Sequence, residues 1–203
     1  MPESTIALPE SLRFYLMPQN RTAVARLTAQ TEPPPALSWE QLEDFYATRF
    51  SYQVIKYEHY VFLRDAWKAT WGKAIEQRKE FSLLSVGEHS ELKAALSPEV
   101  VWDYEFVRIY KDNNKTSWWL GIDFDGEYDA LHLYWYSTNG KGHNLSTDVD
   151  LPIEVWDDSP DTREWRVTVN EACPVAAKME NLDLGKLQRA AVDLIGSHKS
   201  NGV

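Results

Sequence analysis

The 203-residue sequence predicts an α+β fold, in which an antiparallel β-meander of about five strands in the C-terminal half packs against N-terminal helices and a C-terminal helix. Apolar residues recur at helical spacing in the first half of the chain and alternate with polar residues after residue 104. Asp125-Gly126 is a strong signal for a two-residue hairpin turn, because a type I′ turn needs positive φ at both central residues.

The chain is expected to divide into an irregular N-terminal arm over residues 1–37 and a single α+β domain over residues 38–203. The triplet Pro33-Pro34-Pro35 favours polyproline II and removes three backbone donors. The sequence therefore predicts a stiff connector between the arm and the first helix.

The first helix is predicted to begin at Ser38, which can cap the free N–H groups, with Gln41 at the N3 position of a capping box. A second helix over about 58–80 has the apolar stripe Leu63, Trp67, Trp71, Ala74 and Ile75. A short helix near 88–96 and a final helix from about Asp183 to Gly196 complete the set. The first helix presents Trp39, Leu42, Phe45, Tyr46 and Phe50 at helical spacing, and the nine tryptophans of the chain fit an aromatic-rich core.

Five strands are predicted at Tyr104–Tyr110, Trp118–Phe124, Ala130–Tyr136, Leu151–Trp156 and Glu164–Val169. Two-residue turns at Asn113-Asn114 and Asp125-Gly126 would fix the register of the first three strands. In that register the core face consists of Val107, Ile109, Trp118, Leu120, Ile122, Leu131, Leu133 and Trp135.

The opposite face of the predicted sheet is aromatic and polar. Arg108, Trp119 and His132 would form one row across three strands, with Tyr134 beside them. An exposed aromatic surface of this kind usually binds a protein, a sugar or a base. The alternative is that the N-terminal segment or another strand covers these rings, since buried sheet faces also contain Tyr and Trp.

The formal charge of −10 argues against a general nucleic-acid binder. Residues 123–164 contain eleven acidic and two basic residues, a formal charge of −9, and such asymmetry attracts basic partners. The alternative is that these acids only confer solubility. The residues predicted to bind a basic partner are Asp148, Asp150, Glu154, Trp156, Asp157, Asp158, Asp161 and Trp165.

A catalytic alternative rests on Glu105, Asp123 and Asp129, with Lys111 or Lys115, as the acids and lysine of a metal-dependent hydrolase or nuclease. Two carboxyl groups that share a site ionise reluctantly, which is a signature of functional sites. Their spacing matches no metal motif, and none of the five histidines forms a zinc-binding pair. The sequence therefore predicts neither a metal site nor a cofactor.

The single cysteine, Cys173, rules out an internal disulfide. The N-terminus lacks the features of a secretory signal, and no window is apolar enough to span a membrane, so a cytoplasmic protein without membrane contact is expected. The predicted function is a non-catalytic acidic module that occludes or docks onto a basic protein surface. An inhibitor, an immunity or antitoxin protein, a mimic of nucleic-acid charge or a complex subunit would all fit. The alternatives are the metal-dependent enzyme and small-ligand binding on the aromatic sheet face.

Overall fold

The computed structural model describes residues 5–7, 9–17, 19–20, 22, 32–76, 78–84, 105–112, 117–124, 131–137, 153–159, 162–169 and 181–197. Within them the fold is α+β, as predicted. The elements are β1 (Thr5–Ala7), α1 (Glu10–Leu16), α2 (Trp39–Trp67), β2 (Ser82–Leu84), β3 (Glu105–Lys111), β4 (Ser117–Phe124), β5 (Leu131–Ser137), β6 (Ile153–Ser159), β7 (Thr162–Val169), β8 (Asn181–Asp183) and α3 (Gly185–Ser197). The predicted helix near 88–96 lies outside the described residues.

The main sheet has the strand order β2-β3-β4-β5-β7-β6, and every neighbouring pair is antiparallel. β2 is an edge strand that the sequence analysis did not predict. The predicted meander is wrong at one point, because β7 rather than β6 lies beside β5. Residues 138–152 are long enough to carry the chain past one strand position, about 5 Å wide, whereas only two residues separate β6 from β7. β6 is therefore the outermost strand.

Helix α2 begins where the capping signal places it. The Ser38 side chain accepts a hydrogen bond from the Gln41 backbone N–H at 3.3 Å, and the Gln41 side chain accepts one from the Ser38 N–H at 3.0 Å. The two helices predicted over 38–50 and 58–80 are one continuous helix, which extends through the π-helical turn Lys68–Gly72 to Ile75. No glycine or proline interrupts the sequence between Trp39 and Trp71, so nothing local ends the helix there.

Two tryptophans attach the C-terminal end of this helix to the middle of the sheet. Trp67 donates its indole N–H to the Leu120 carbonyl at 2.7 Å, and Trp71 donates to the Gly121 carbonyl at 2.9 Å. Residues four apart lie on one side of a helix, so both indoles reach β4 from the same face. A buried indole N–H needs an acceptor, and these two bonds satisfy both donors in the interior.

The core lies between the sheet and the helices. The Arg78 side chain donates to the Ile195 carbonyl at 2.8 Å and so links the end of the α2 segment to α3. The predicted C-terminal helix packs on this core through Leu184, Leu187, Ala191 and Ile195, which are buried. The large side chains that are almost fully buried in this core are Leu63, Trp71, Trp118, Leu120, Ile122, Leu131, Leu133, Trp135, Leu184 and Leu187.

The predicted register between β3 and β4 is wrong by one residue. Ile109 pairs with Trp119 rather than Trp118, because residues 112–116 connect the strands instead of a two-residue turn. Asp112 is buried and accepts a hydrogen bond from the Trp118 indole N–H at 3.1 Å, so it belongs to the core and not to a turn. A one-residue shift moves every β3 side chain to the other face. Phe106, Arg108 and Tyr110 are therefore on the core face, and Val107 and Ile109 are on the outer face.

The predicted Asp125-Gly126 register between β4 and β5 is also wrong, but with no effect on the faces. Phe124 pairs with Leu131 instead of Glu127, so six residues connect the strands. The register is shifted by an even number of residues. Because successive side chains point to opposite faces of the sheet, an even shift leaves each side chain on its predicted face. The core-face residues predicted on β4 and β5 are consequently confirmed as buried: Trp118, Leu120, Ile122, Leu131, Leu133 and Trp135.

The most exposed aromatic residues that the structure describes lie in the N-terminal half of α2. Trp39 is 87% exposed and Phe50 is 71% exposed, whereas Trp71 on the same helical segment is fully buried. Trp39 is therefore not part of the aromatic-rich core that the tryptophans of the chain predict. Of the region predicted as an irregular arm, β1 pairs with β8 and α1 packs against α2.

Candidate functional site

The acids predicted to bind a partner fall partly on β6, which we call the acidic edge strand. Glu154, Asp157 and Asp158 lie on this strand. It pairs with β7 on one side and ends the sheet on the other. An edge strand presents unpaired backbone N–H and C=O groups, which other chains can recognise. The predicted residues Asp148, Asp150 and Asp161 lie outside the described residues.

The pairing with β7 distributes the charge unevenly along the acidic edge strand. Glu154 is opposite Arg166, and Asp158 is opposite Arg163. Opposed residues of opposite charge stabilise a strand pair, so these positions are electrostatically matched within the sheet. Asp157, in contrast, is opposite Glu164. The uncompensated negative charge of this strand pair is therefore centred on the Asp157–Glu164 position.

The register of the acidic edge strand shifts between Val155 and Asp157, so Trp156 is the extra residue of a β-bulge. Bulges bend and twist the strand that contains them, and they are frequent at sheet edges. A bulge also blunts an edge against uncontrolled pairing with another strand. The bulge therefore interrupts the side-to-side alternation of residues along the strand at Trp156, one of the residues predicted to bind a basic partner.

Trp165 does not share the position of these acids. It pairs with Val155 on one side and with Trp135 on the other. Directly opposed residues share a face of the sheet, and Trp135 is only 1% exposed in the core. Trp165 is thus at a core-face register position, next along β7 to Glu164, which pairs with Asp157. Its role in partner binding stays a prediction.

The row predicted from Arg108, Trp119 and His132 does not form. Arg108 is on the core face, 6% exposed, with its guanidinium carbon 4.2 Å from the centre of the Phe106 ring. Trp119 is on the outer face and pairs with Tyr136, whereas His132 pairs with Asp123. The reason is the one-residue shift of β3, which turns Arg108 inward.

Tyr134 is on the predicted outer face, but it is only 8% exposed. It pairs with Gly121, and a Cβ atom added to that glycine would lie 1.9 Å from the Tyr134 ring. The Tyr134 ring therefore occupies the space that a side chain at position 121 would need, so only glycine fits at that position. Trp119, at 38% exposure, is the more accessible of these two rings.

The carboxylates of the catalytic alternative are arranged differently from the prediction. In the predicted register Glu105 is opposite Ile122, but in the structure it pairs directly with Asp123, whose other neighbour is His132. Asp129 lies outside the described residues. Among the described residues, no group of three His, Cys, Asp or Glu side chains could hold a metal ion. The metal-dependent reaction stays a prediction from the sequence.

Buried basic groups are a feature that the sequence analysis missed. Lys56 and His59 on α2 are 4% and 2% exposed, and Arg108 faces the same interior from β3. Burial lowers the pKa of the Lys56 ammonium, and burial lowers the pKa of His59 to about 3. Burial also raises the pKa of the Tyr110 hydroxyl, an effect that the charge of Arg108 opposes. The only sequence signal was their spacing, because His59 is four residues from both of the buried residues Ile55 and Leu63, and Lys56 is seven residues from Leu63.

Comparisons with protein-family models, with curated proteins and with solved structures found no match to this chain. In the part of the chain that the structure describes, no helix combines the length and the apolar character needed to cross a bilayer.

Proposed function

We propose that the protein is a non-catalytic binding protein that docks through its acidic edge strand onto a basic surface of a partner protein. The observation that supports this proposal is the coincidence of charge and topology. The most acidic part of the sequence, residues 123–164, includes the strand that ends the sheet. A strand in this position can meet a partner without any rearrangement of the core.

The charge pattern supports a partner that supplies cations at the centre of the strand. Glu154 and Asp158 have arginines opposite them in β7, but Asp157 faces Glu164. Like charges that are directly opposed destabilise a strand pair, and a lysine or arginine of a partner would relieve that repulsion. Complementary charge of this kind mainly accelerates association and selects the partner. Binding would then occlude the basic surface of the partner.

The experiment compares the wild type with the variant Glu154→Gln, Asp157→Asn, Asp158→Asn. Each is immobilised and exposed to lysate of the source organism at about 50 mM and about 500 mM salt, where the Debye length falls from roughly 14 Å to roughly 4 Å. We expect the wild type to retain a basic protein at low salt and release it at high salt. The variant should not retain it.

A matched control removes the same number of acids elsewhere. Glu32, Glu76 and Asp193 are exposed and lie outside β6 and β7. The variant Glu32→Gln, Glu76→Gln, Asp193→Asn should retain the partner as the wild type does. Retention of the same protein by the β6 variant, or equal loss from both variants, would contradict a role for the acidic edge strand.

A further inference from the structure

One face of α2 carries a stripe of nine residues that are exposed or only partly buried in the described chain. At about 100° per residue, its nine positions fall within an arc of about 80°. The buried residues His59 and Ala66 are on the opposite side of the helix. We call this set the outer stripe, and it consists of Trp39, Glu43, Tyr46, Phe50, Val54, Tyr57, Val61, Arg64 and the adjoining Lys68.

The rings of the outer stripe are unusually exposed. Trp39, Phe50, Tyr46 and Tyr57 are 87%, 71%, 55% and 44% exposed. At about 150–250 Å² per aromatic side chain, the exposed parts come to roughly 500 Å². Two such surfaces against each other would bury about 1,000 Å², the area at which a specific protein interface begins. An apolar patch of this size on a helix normally marks an interaction site.

The outer stripe is complementary to itself when it runs antiparallel to a second copy. A two-fold axis midway between Gln53 and Val54 places Phe50 opposite Tyr57 of the partner copy and Tyr46 opposite Val61 of the partner copy, because each pair is equally spaced about that axis. These four apolar positions then meet one another on either side of the axis. A two-fold interface requires this kind of self-complementarity.

The charges at the two ends of the outer stripe favour the same arrangement. Glu43 comes opposite Arg64 of the partner copy, and Trp39 comes opposite Lys68 of the partner copy. The first is an ion pair, and the second brings a cation to an indole ring. A parallel arrangement would instead oppose glutamate to glutamate and arginine to arginine. Arg64 already contacts Asp65 at 2.9 Å, but both side chains are partly exposed, and such a pair is weak enough to be shared with a new partner.

We propose that the outer stripe of α2 is a homodimerisation surface on which a second copy of this chain packs antiparallel, with its two-fold axis between Gln53 and Val54. This surface is separate from the acidic edge strand, so the proposal does not depend on the proposed function. It leaves β6 of each copy available to a partner.

The first test is sedimentation equilibrium of the full chain over a wide concentration range. We expect a reversible dimer of twice the 23.5 kDa chain mass. Phe50→Asp places a charge in the centre of the stripe and should weaken dimerisation about thirtyfold or more, as the loss of a hot-spot residue does. Val192→Asp is the control, since Val192 is also exposed on a helix, at 47%, but lies on α3. This control should dimerise as the wild type does.

The second test establishes the direction of the helices. Glu43→Arg alone and Arg64→Glu alone should each weaken the dimer about two- to fivefold, and the double variant should restore it. A parallel dimer would show no such restoration. A chain that stays monomeric at every concentration, or a dimer that Phe50→Asp leaves intact, would overturn the proposal.

Discussion

The two halves of helix α2 both place large aromatic residues at helical spacing, but the surroundings of these residues differ. In the C-terminal half, Trp67 and Trp71 are buried and donate hydrogen bonds to neighbouring carbonyls of β4. In the N-terminal half, Trp39, Tyr46 and Phe50 are exposed. The spacing that predicts a helix therefore says nothing about whether another element covers its aromatic face.

The two halves differ in the elements of the chain that pack against them. The C-terminal half packs on β3 and β4 and continues into the segment that packs against α3. Helix α1 also packs against α2, but Trp39, Tyr46 and Phe50 of the N-terminal half stay exposed. The C-terminal half should consequently contribute most of the folding free energy of the helix, and the N-terminal half should act mainly in association.

Replacement of a tryptophan in each half tests this division most directly. Trp71→Ala should lower the free energy of unfolding by about 3–5 kcal/mol, since it leaves a cavity and removes the donor to the Gly121 carbonyl. Trp39→Ala should change it by no more than about 0.5 kcal/mol, because the ring is exposed. Urea denaturation measures both, at a concentration where the chain sediments as a monomer.

Trp71→Phe is the control for the cavity in that comparison. It keeps a six-membered aromatic ring and so leaves a smaller cavity, although it also loses the hydrogen bond, and it should therefore cost less than Trp71→Ala. Equal losses at Trp71 and Trp39 would break the proposed difference between the two halves of α2.

The second prediction concerns the pH dependence that His59 gives to the buried half. Burial lowers the pKa of this imidazole to about 3, from 6.5 in the unfolded chain. Between pH 6.5 and 3 the unfolded chain therefore binds a proton that the folded chain does not, and stability falls as the pH falls. From pH 7 to pH 5 the loss should be about 2 kcal/mol, since each pKa unit corresponds to about 1.4 kcal/mol.

A His59→Leu variant removes this titration and keeps an apolar side chain at the buried position. Its absolute stability at pH 7 will differ, so the quantity to compare is the change between pH 7 and pH 5. The wild type should lose about 2 kcal/mol more than the variant over that interval. Parallel stability profiles for the two proteins would show that the imidazole has the same pKa in the folded and the unfolded chain.

Much of the fold could be predicted from local sequence signals. The capping box at Ser38, the α+β class and the buried residues of β4, β5 and α3 all follow from periodicity and capping chemistry. The β3 register could not be predicted, because a turn of two residues and a connection of five both suit Asp112-Asn113-Asn114. The deciding contact is the bond from Trp118 to Asp112, which is visible only in three dimensions.

The candidate site could be predicted only in part. The sequence indicates that residues 123–164 are acidic, but the strand order decides that β6 ends the sheet. The same strand order places Trp165 between Val155 and Trp135 in the register. Local patterns contain no information about such non-consecutive neighbours, so the position of β7 between β5 and β6 was not foreseeable.

The smallest expected effect is at the start of the exposed half. Ser38→Ala removes the side-chain acceptor for the Gln41 N–H, which should cost about 1 kcal/mol locally. Because the first turns of α2 bury little, we expect them to fray before the whole chain unfolds. Amide exchange over residues 39–43 should then accelerate about fivefold while the midpoint of urea unfolding hardly moves. Ser38→Asp, which keeps a capping oxygen, should exchange like the wild type. An equal loss of global stability would instead show that the N-terminal half folds as one unit with the core.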